Sequence, residues 1–417
     1  MFIIYDLILI LFALIYLPYA AFKGKFRRDF ILRLGFLSKD IEFDSPIWLH
    51  AVSVGEILAS RPLLTKIREN YPHRQIVIST ITETANRIAQ DLAQRKDFVF
   101  YLPLDLSFIV KRVIRRIKPC LCIVMETEIW PNLISGLNRE RVPVVMVNAR
   151  ISDKSYKRYR LIRFLLRPLL NKITLFCAQT KADQERFICL GADKDKVKIT
   201  GNMKFDMPRP QTAPEKPELG LGALDRLLVA GSTHAGEEKI ILDIYKELLI
   251  DFPHLKLLIA PRHPERTREI ERLVEAYNFR PLLISKLPTT NSQPRTKCIF
   301  ILDTIGGLSS FYALASVVFV GGSLVKRGGH NVIEPAYFKK AIIVGPYTFN
   351  FKDIVNCFLN GNGILCVNNK QELKENLKLL LIDEIKRRTL GANAYDIIQA
   401  NQGASQKNLA YIHNLLS

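Results

Sequence analysis

The chain has 417 residues, 48% of them hydrophobic and 24% charged; it is too long for one ordinary core, and its composition excludes a disordered or low-complexity protein. Lysine and arginine exceed aspartate and glutamate by 60 to 40, a formal net charge of +20, which favours an anionic partner such as nucleic acid, anionic lipid or a phosphorylated substrate. The seven cysteines, at 120, 122, 177, 189, 298, 357 and 366, form no CxxC pair and no Cys/His cluster, so they read as reduced packing residues and speak against a disulfide framework or a structural metal.

Residues 2–22 are almost uninterruptedly apolar, Asp6 being the one charge. At about 1.5 Å per residue such a stretch can cross a hydrocarbon layer of about 30 Å. A cleavable signal peptide would carry its basic residues before the apolar run. Here Lys23, Lys25, Arg27 and Arg28 follow it, so the positive-inside rule predicts a membrane anchor over 1–22 with the remaining chain on the cytoplasmic side.

Beyond the anchor, apolar runs at 47–52, 75–79, 98–102, 121–125, 142–147, 175–178 and 197–200 alternate with amphipathic segments. Continuous apolar runs joined by helix-length connections predict a parallel sheet covered on both faces, hence a first α/β domain over 35–205. Residues 206–222, DMPRPQTAPEKPELGLG, concentrate proline and glycine and read as a linker. A second series at 227–230, 256–260, 281–284, 298–302, 317–320, 341–344 and 363–367 predicts a second α/β domain over 223–395, followed by a C-terminal helix over 396–417. Two Rossmann-like domains facing across a cleft are expected, with ligands at the carboxyl ends of the strands.

Reactive residues gather at those strand ends. WLHAVSVGE, residues 48–56, runs from a strand through a turn into a helix beginning near Glu56; a carboxylate there can take a proton from an attacking hydroxyl, or merely complement the helix dipole. ETEIWPN, residues 126–132, sets Glu126 and Glu128 directly after a buried strand, where acidic groups are costly unless solvated in a cleft or paired. Helix capping, with Pro131 in the first turn, is the alternative. GNMKFD, residues 201–206, ends the first domain with Lys204, a cation suited to a phosphate or carboxylate, or a plain surface lysine.

In the second domain GSTHAGE, residues 231–237, offers backbone N–H groups and hydroxyls to an anion, and PRHPER, residues 261–266, brings Arg262 to a strand end. The richest segment is GGSLVKRGGHNVIEP, residues 321–335. Its glycines let backbone approach a phosphate, a helix is expected to start near Asn331, and Glu334, one turn further in, can accept hydrogen bonds from ribose hydroxyls. A basic glycine loop with a capped helix is the plainer reading. Asp193-Lys194-Asp195 spells a DxD metal motif, but Lys194 and Lys196 crowd the carboxylates; it reads as a solvated turn, and no other cluster has metal-site spacing.

In this order and after the anchor, HAVSVGE, ETEIWPN, VNAR, GNMKFD, AGSTHAGEE, APRHPER and GGSLVKRGGHNVIEP resemble the 3-deoxy-D-manno-octulosonic acid (Kdo) transferases of lipopolysaccharide assembly, over nearly the whole chain. The resemblance implies GT-B architecture. It implies an inverting transfer of Kdo from CMP-Kdo to a lipid A precursor (lipid IVA) at the cytoplasmic face of a bacterial inner membrane, with neither cofactor nor metal. It also implies Glu56 as proton acceptor and Glu126 and Lys204 as transition-state stabilisers. Pro261, Arg262, Ile305, Gly306, Gly307, Asn331, Val332, Ile333 and Glu334 are implied as the CMP site, with His330 and Arg262 beside the phosphate or the Kdo carboxylate. Where many relatives carry an acidic residue in the middle CMP motif, this chain has Gly307, which can contribute only backbone contacts.

The basic and aromatic segment 150–172 suits contact with inner-membrane lipids, or a partly buried helix with a solvated basic face. Two other readings compete: a GT-B transferase using another nucleotide sugar on a membrane lipid, and a basic membrane-tethered nucleic-acid-binding protein. Neither an RNP-type aromatic strand nor a helix-turn-helix is recognisable, so no nucleic-acid partner is expected.

Overall fold

The first series of apolar runs forms seven strands: β1 (Ile47–His50), β2 (Ile76–Thr80), β3 (Phe98–Tyr101), β4 (Leu121–Met125), β5 (Val144–Ala149), β6 (Leu175–Ala178) and β7 (Val197–Ile199). All neighbours pair in parallel, in the order β3-β2-β1-β4-β5-β6-β7. Alternate residues serve opposite faces, as the pleat requires. Trp48, Val77, Cys122, Val124 and Met146 pack into one core; Ile47, Leu49, Ile78, Ile123 and Val145 pack into the other. Burial on both faces is why these strands read as unbroken apolar runs.

In this computed structural model residues 4–11, 14, 32–38, 40–207, 219–287 and 297–416 are described. The chain divides into two units, the first comprising 1–208 with 401–417 and the second 209–400. The second unit repeats the plan with β8 (Arg226–Thr233), β9 (Leu255–Pro261), β10 (Arg280–Leu283), β11 (Cys298–Ile301), β12 (Val317–Val320), β13 (Ala341–Val344) and β14 (Leu365–Cys366). Their order is β10-β11-β9-β8-β12-β13-β14, again with parallel pairing throughout. Leu228, Leu257, Ile299, Phe319 and Ile343 belong to one core beneath the helices. The strand order reverses between β1 and β4 in the first sheet and between β8 and β12 in the second, and such reversals are where open α/β sheets bind ligands.

Two expectations change. The helix expected over 396–417 is two helices, Glu384–Asn401 and Ala404–Leu416, separated at Gly403, whose φ of +99° no helix accommodates. The last helix belongs to the first unit: Ala404, Leu409 and Ile412 enter its core, and Asp206 accepts the N–H groups of Gly403 (2.6 Å) and Ser405 at the helix start. Likewise, the helix after the glycine loop begins at Ile333 and ends at Tyr337, so Glu334 lies in its first turn. The Asn331 side-chain oxygen accepts the Ile333 N–H at 3.0 Å, holding Asn331 outside the helix.

Of the anchor expected over 1–22, residues 4–11 and 14 are described and helical. Asp6 accepts hydrogen bonds from Asn132 Nδ2 at 2.7 Å and Ser107 N at 3.1 Å. The rest of that stretch, and 208–218 of the linker, lie outside the described residues. Among the described residues no helix is long and apolar enough to cross a membrane. Among the described residues, which include all seven cysteines, there is no disulfide.

Candidate functional site

Three carboxylates and two cations converge at the carboxyl ends of β1, β4 and β5. Ser53 is the N-cap of the helix Val54–Asn70, and Glu56 occupies its third position. The Ser53 hydroxyl donates to Glu56 Oε1 at 2.8 Å, while Val52 N–H donates to Oε2 at 2.9 Å. This is close to a capping box, so the helix-terminus role is present; it also fixes the carboxylate rather than leaving it to rotate. Burial raises the Glu56 pKa above the usual carboxylate range, the bonds from Val52 and Ser53 pull it down, and the Glu126 charge pushes it up again. A fixed, buried carboxylate of raised basicity is what a general base requires.

Glu126 leaves β4 in the left-handed region, φ +53°, an unusual conformation for a residue with a Cβ and one often found at functional sites. Its N–H still donates to Val147 O at 3.0 Å. Arg150 Nε lies 2.7 Å from one carboxylate oxygen and Lys204 Nζ 3.5 Å from the other. Lys204 is placed by Asn148 at the end of β5, whose buried side-chain oxygen accepts the Met203 N–H at 3.0 Å, and by Asn202, which accepts the Lys204 N–H at 3.0 Å. Glu128 receives Trp130 Nε1 at 3.0 Å. Burial, with the charges of Glu56 and Glu126, pushes its pKa up to about 7.

The predicted trio Glu56, Glu126 and Lys204 is thus brought to one end of one sheet. Arg150 was missed as a member of it. The signal was VNAR, which sets Arg150 directly after β5, beside β4 in the sheet. Replacing Lys204 with methionine is expected to lower kcat about 10²-fold with KM nearly unchanged; steady-state kinetics check this, and an unchanged kcat would remove Lys204 from the machinery.

In the second unit the predicted residues lie at or beyond the ends of β9, β11 and β12. The sheet order places these strands and β8 side by side. Arg262 N–H donates to Thr233 O at 3.0 Å where β9 meets β8. Ile305 is 92% exposed, and Gly306 and Gly307 both have positive φ with nothing within 4 Å of their Cβ positions, leaving open backbone. Glu334 accepts from Ser309 Oγ at 2.9 Å and Asn331 Nδ2 at 3.1 Å, which joins the 305–309 turn to the 331–334 turn. Val332 and Ile333 are buried and support it from below.

The fixed point of this region is Glu237, fully buried. It accepts four N–H groups: His234 (2.9 Å), Gly322 (2.7 Å), Ser323 (3.0 Å) and Leu324 (2.9 Å). It therefore ties the turn after β8 to the glycine loop after β12. Gly322 has φ +68°, and a Cβ there would come within 2.9 Å of His330 Cδ2, so this position requires glycine. The DxD letters form a capped turn, Asp193 Oδ1 accepting the Asp195 N–H at 3.0 Å. Among the described residues no group of three His, Cys, Asp or Glu side chains could hold a metal ion.

Comparison with known proteins follows the two units. Residues 28–207 match the family described as 3-deoxy-D-manno-octulosonic-acid transferase (kdotransferase), and residues 286–397 match glycosyl transferases group 1. The chain is 39% identical over 369 residues to a 3-deoxy-D-manno-octulosonic acid transferase of Haemophilus influenzae, covering 87% of this chain and 85% of the relative. It is 32% identical to one of Chlamydophila psittaci, covering 89% of this chain and 87% of the relative. A crystal structure described as a putative UDP-N-acetylglucosamine 2-epimerase of Listeria monocytogenes shares the fold, with a TM-score of 0.61 and 14% identity over 90% of this chain and 97% of that one.

Proposed function

Since the chain belongs to the 3-deoxy-D-manno-octulosonic acid transferase family and is an enzyme of that kind, we propose that it moves Kdo from CMP-Kdo to a lipid A precursor (lipid IVA) in lipopolysaccharide core biosynthesis, with inversion at the anomeric carbon. The observation that carries this reading is the pairing of a fixed, buried base, Glu56, with a Glu126 carboxylate held between Arg150 and Lys204.

In a single displacement, Glu56 takes the proton of the acceptor hydroxyl as its oxygen attacks the anomeric carbon and the bond to the CMP phosphate breaks. Raised basicity favours that proton transfer. Glu126 stabilises the positive charge that develops on the sugar, and Lys204 the negative charge. In the second unit Glu334, oriented by Ser309 and Asn331, accepts the ribose hydroxyls. The open backbone of 305–307 lies against the nucleotide, and Pro261 and Arg262 border it. The reading assigns no metal: exposed Arg262, Lys326 and Arg327 supply positive charge at the phosphate.

The proposal extends to the cytoplasmic face of the inner membrane. The helices Asp153–Leu161 and Arg163–Leu170 mix cations with exposed Leu161 and Phe164, a composition that suits an anionic leaflet; anchoring by 1–22 is part of the same reading. Calorimetric titration of the protein in detergent tests the donor. CMP is expected to bind and UDP to bind at least about tenfold more weakly, whereas tighter UDP binding would return the chain to transferases of other nucleotide sugars.

A further inference from the structure

The strand-order reversal of the second unit carries a group that the reaction scheme does not use. His234, in the turn after β8, and His330, in the glycine loop after β12, face each other with Nε2 atoms 2.9 Å apart. Their rings are nearly parallel, planes 8° apart, and a centroid separation of 5.1 Å puts the two nitrogens almost on the line between the rings, edge to edge. His263, after β9, meets His234 edge-on at 5.7 Å. Three sequence-distant histidines thus come from three adjacent strand ends.

Two imidazole nitrogens at 2.9 Å cannot both carry hydrogen, which would clash, nor both be bare, which would set lone pair against lone pair. The neutral pair therefore shares one proton, N–H···N. In that arrangement one ring still has an unprotonated Nδ1. A further proton makes that ring an imidazolium without breaking the bridge.

The surroundings hold that second proton off. Burial lowers the pKa of both histidines, His330 to about 4, and neighbouring groups lower them further: Arg262, His234 and His263 at His330, and His263, Arg327 and Arg266 at His234. Glu238 opposes this at His234, but its carboxylate is paired with Arg266 at 2.7 Å. Glu237 is committed to four backbone N–H groups. The groups facing the pair from all three turns are thus dominated by positive charge, and an anion placed among them would reverse the balance.

We propose that His234 and His330 form a proton-sharing pair that closes on the phosphate of the donor nucleotide and takes up one proton from solvent as it does so. This rests on the reading of the second unit as a CMP-sugar site. It gives the pair a part in the reaction, because cleavage of the donor's phosphodiester leaves CMP with an additional negative charge, which the imidazolium offsets. The pair is a binding group for the leaving phosphate and not the base, and Glu237 positions it by fixing the His234 N–H and the Gly322 N–H over which His330 lies.

The test is calorimetric titration of the full-length protein in detergent with CMP, at pH 7 to 8 in buffers of different ionisation enthalpy, with cytidine as the ligand lacking phosphate. Over this range CMP is mainly dianionic, its second phosphate ionisation lying at about 6, so protons counted belong mostly to the protein. Wild type is expected to take up about one proton per CMP and none with cytidine, with CMP affinity rising up to about tenfold per pH unit as pH falls. His234→Asn and His330→Asn, each shown folded by its thermal midpoint, are expected to lose the uptake and the pH slope; if one does not fold, the other decides. CMP binding without proton uptake, or uptake unchanged in a folded variant, overturns the pair while leaving the CMP site standing. Failure of CMP to bind wild type at all overturns both.

Discussion

Glu56→Gln is expected to lower kcat by about 10³-fold while CMP affinity stays at the wild-type level. The amide keeps an oxygen for the Val52 N–H and loses little of the cap, so the variant folds with a stability change below about 1 kcal/mol. Only the ability to accept a proton is removed. Single-turnover transfer and CMP titration on the same preparation check both halves. A variant that transfers at more than about a tenth of the wild-type rate would show that Glu56 is only the helix cap its hydrogen bonds also describe.

Glu237→Ala is expected to destabilise the second unit by about 4 kcal/mol, because four buried N–H groups lose their acceptor at once. CMP binding is expected to be lost with it, since the glycine loop is no longer tied to the turn after β8. Glu237→Gln keeps one acceptor oxygen and falls between wild type and alanine. Denaturant unfolding and CMP titration measure the two consequences. A Glu237→Ala protein as stable as wild type would mean that the loop is held by other contacts.

All fourteen strands among the described residues were legible in the sequence, within a few residues at each end, because strands buried on both faces carry an apolar signal that does not depend on knowing their neighbours. Glu56, Glu126 and Lys204 were legible as candidates for a related reason: charged residues directly after such a run stand at a sheet's ligand-binding edge. Partnership was not legible. Arg150 lies 24 positions from Glu126, and only the adjacency of β4 and β5 puts them in contact. Segment 231–237 read only as a source of N–H groups and hydroxyls for an anion; that Glu237 gathers backbone 85 to 87 residues away is a property of the folded β8–β12 pair. The end of the chain likewise read as helical, but its sequence did not show that the last helix packs into the first unit's core. Asn331 can accept the N–H two residues on, and this local competition moved the helix start to Ile333.

Transfer itself tests the central claim most directly. The purified protein in detergent is incubated with a CMP-Kdo generating system and a tetraacylated lipid A precursor. After the donor has formed, excess EDTA is added before the acceptor, and the lipid products are read by mass spectrometry. The account predicts mass increments of one or more Kdo units with EDTA present, and none in Glu56→Gln over the same time. An unmodified acceptor, from folded protein with donor confirmed in the mixture, would contradict it.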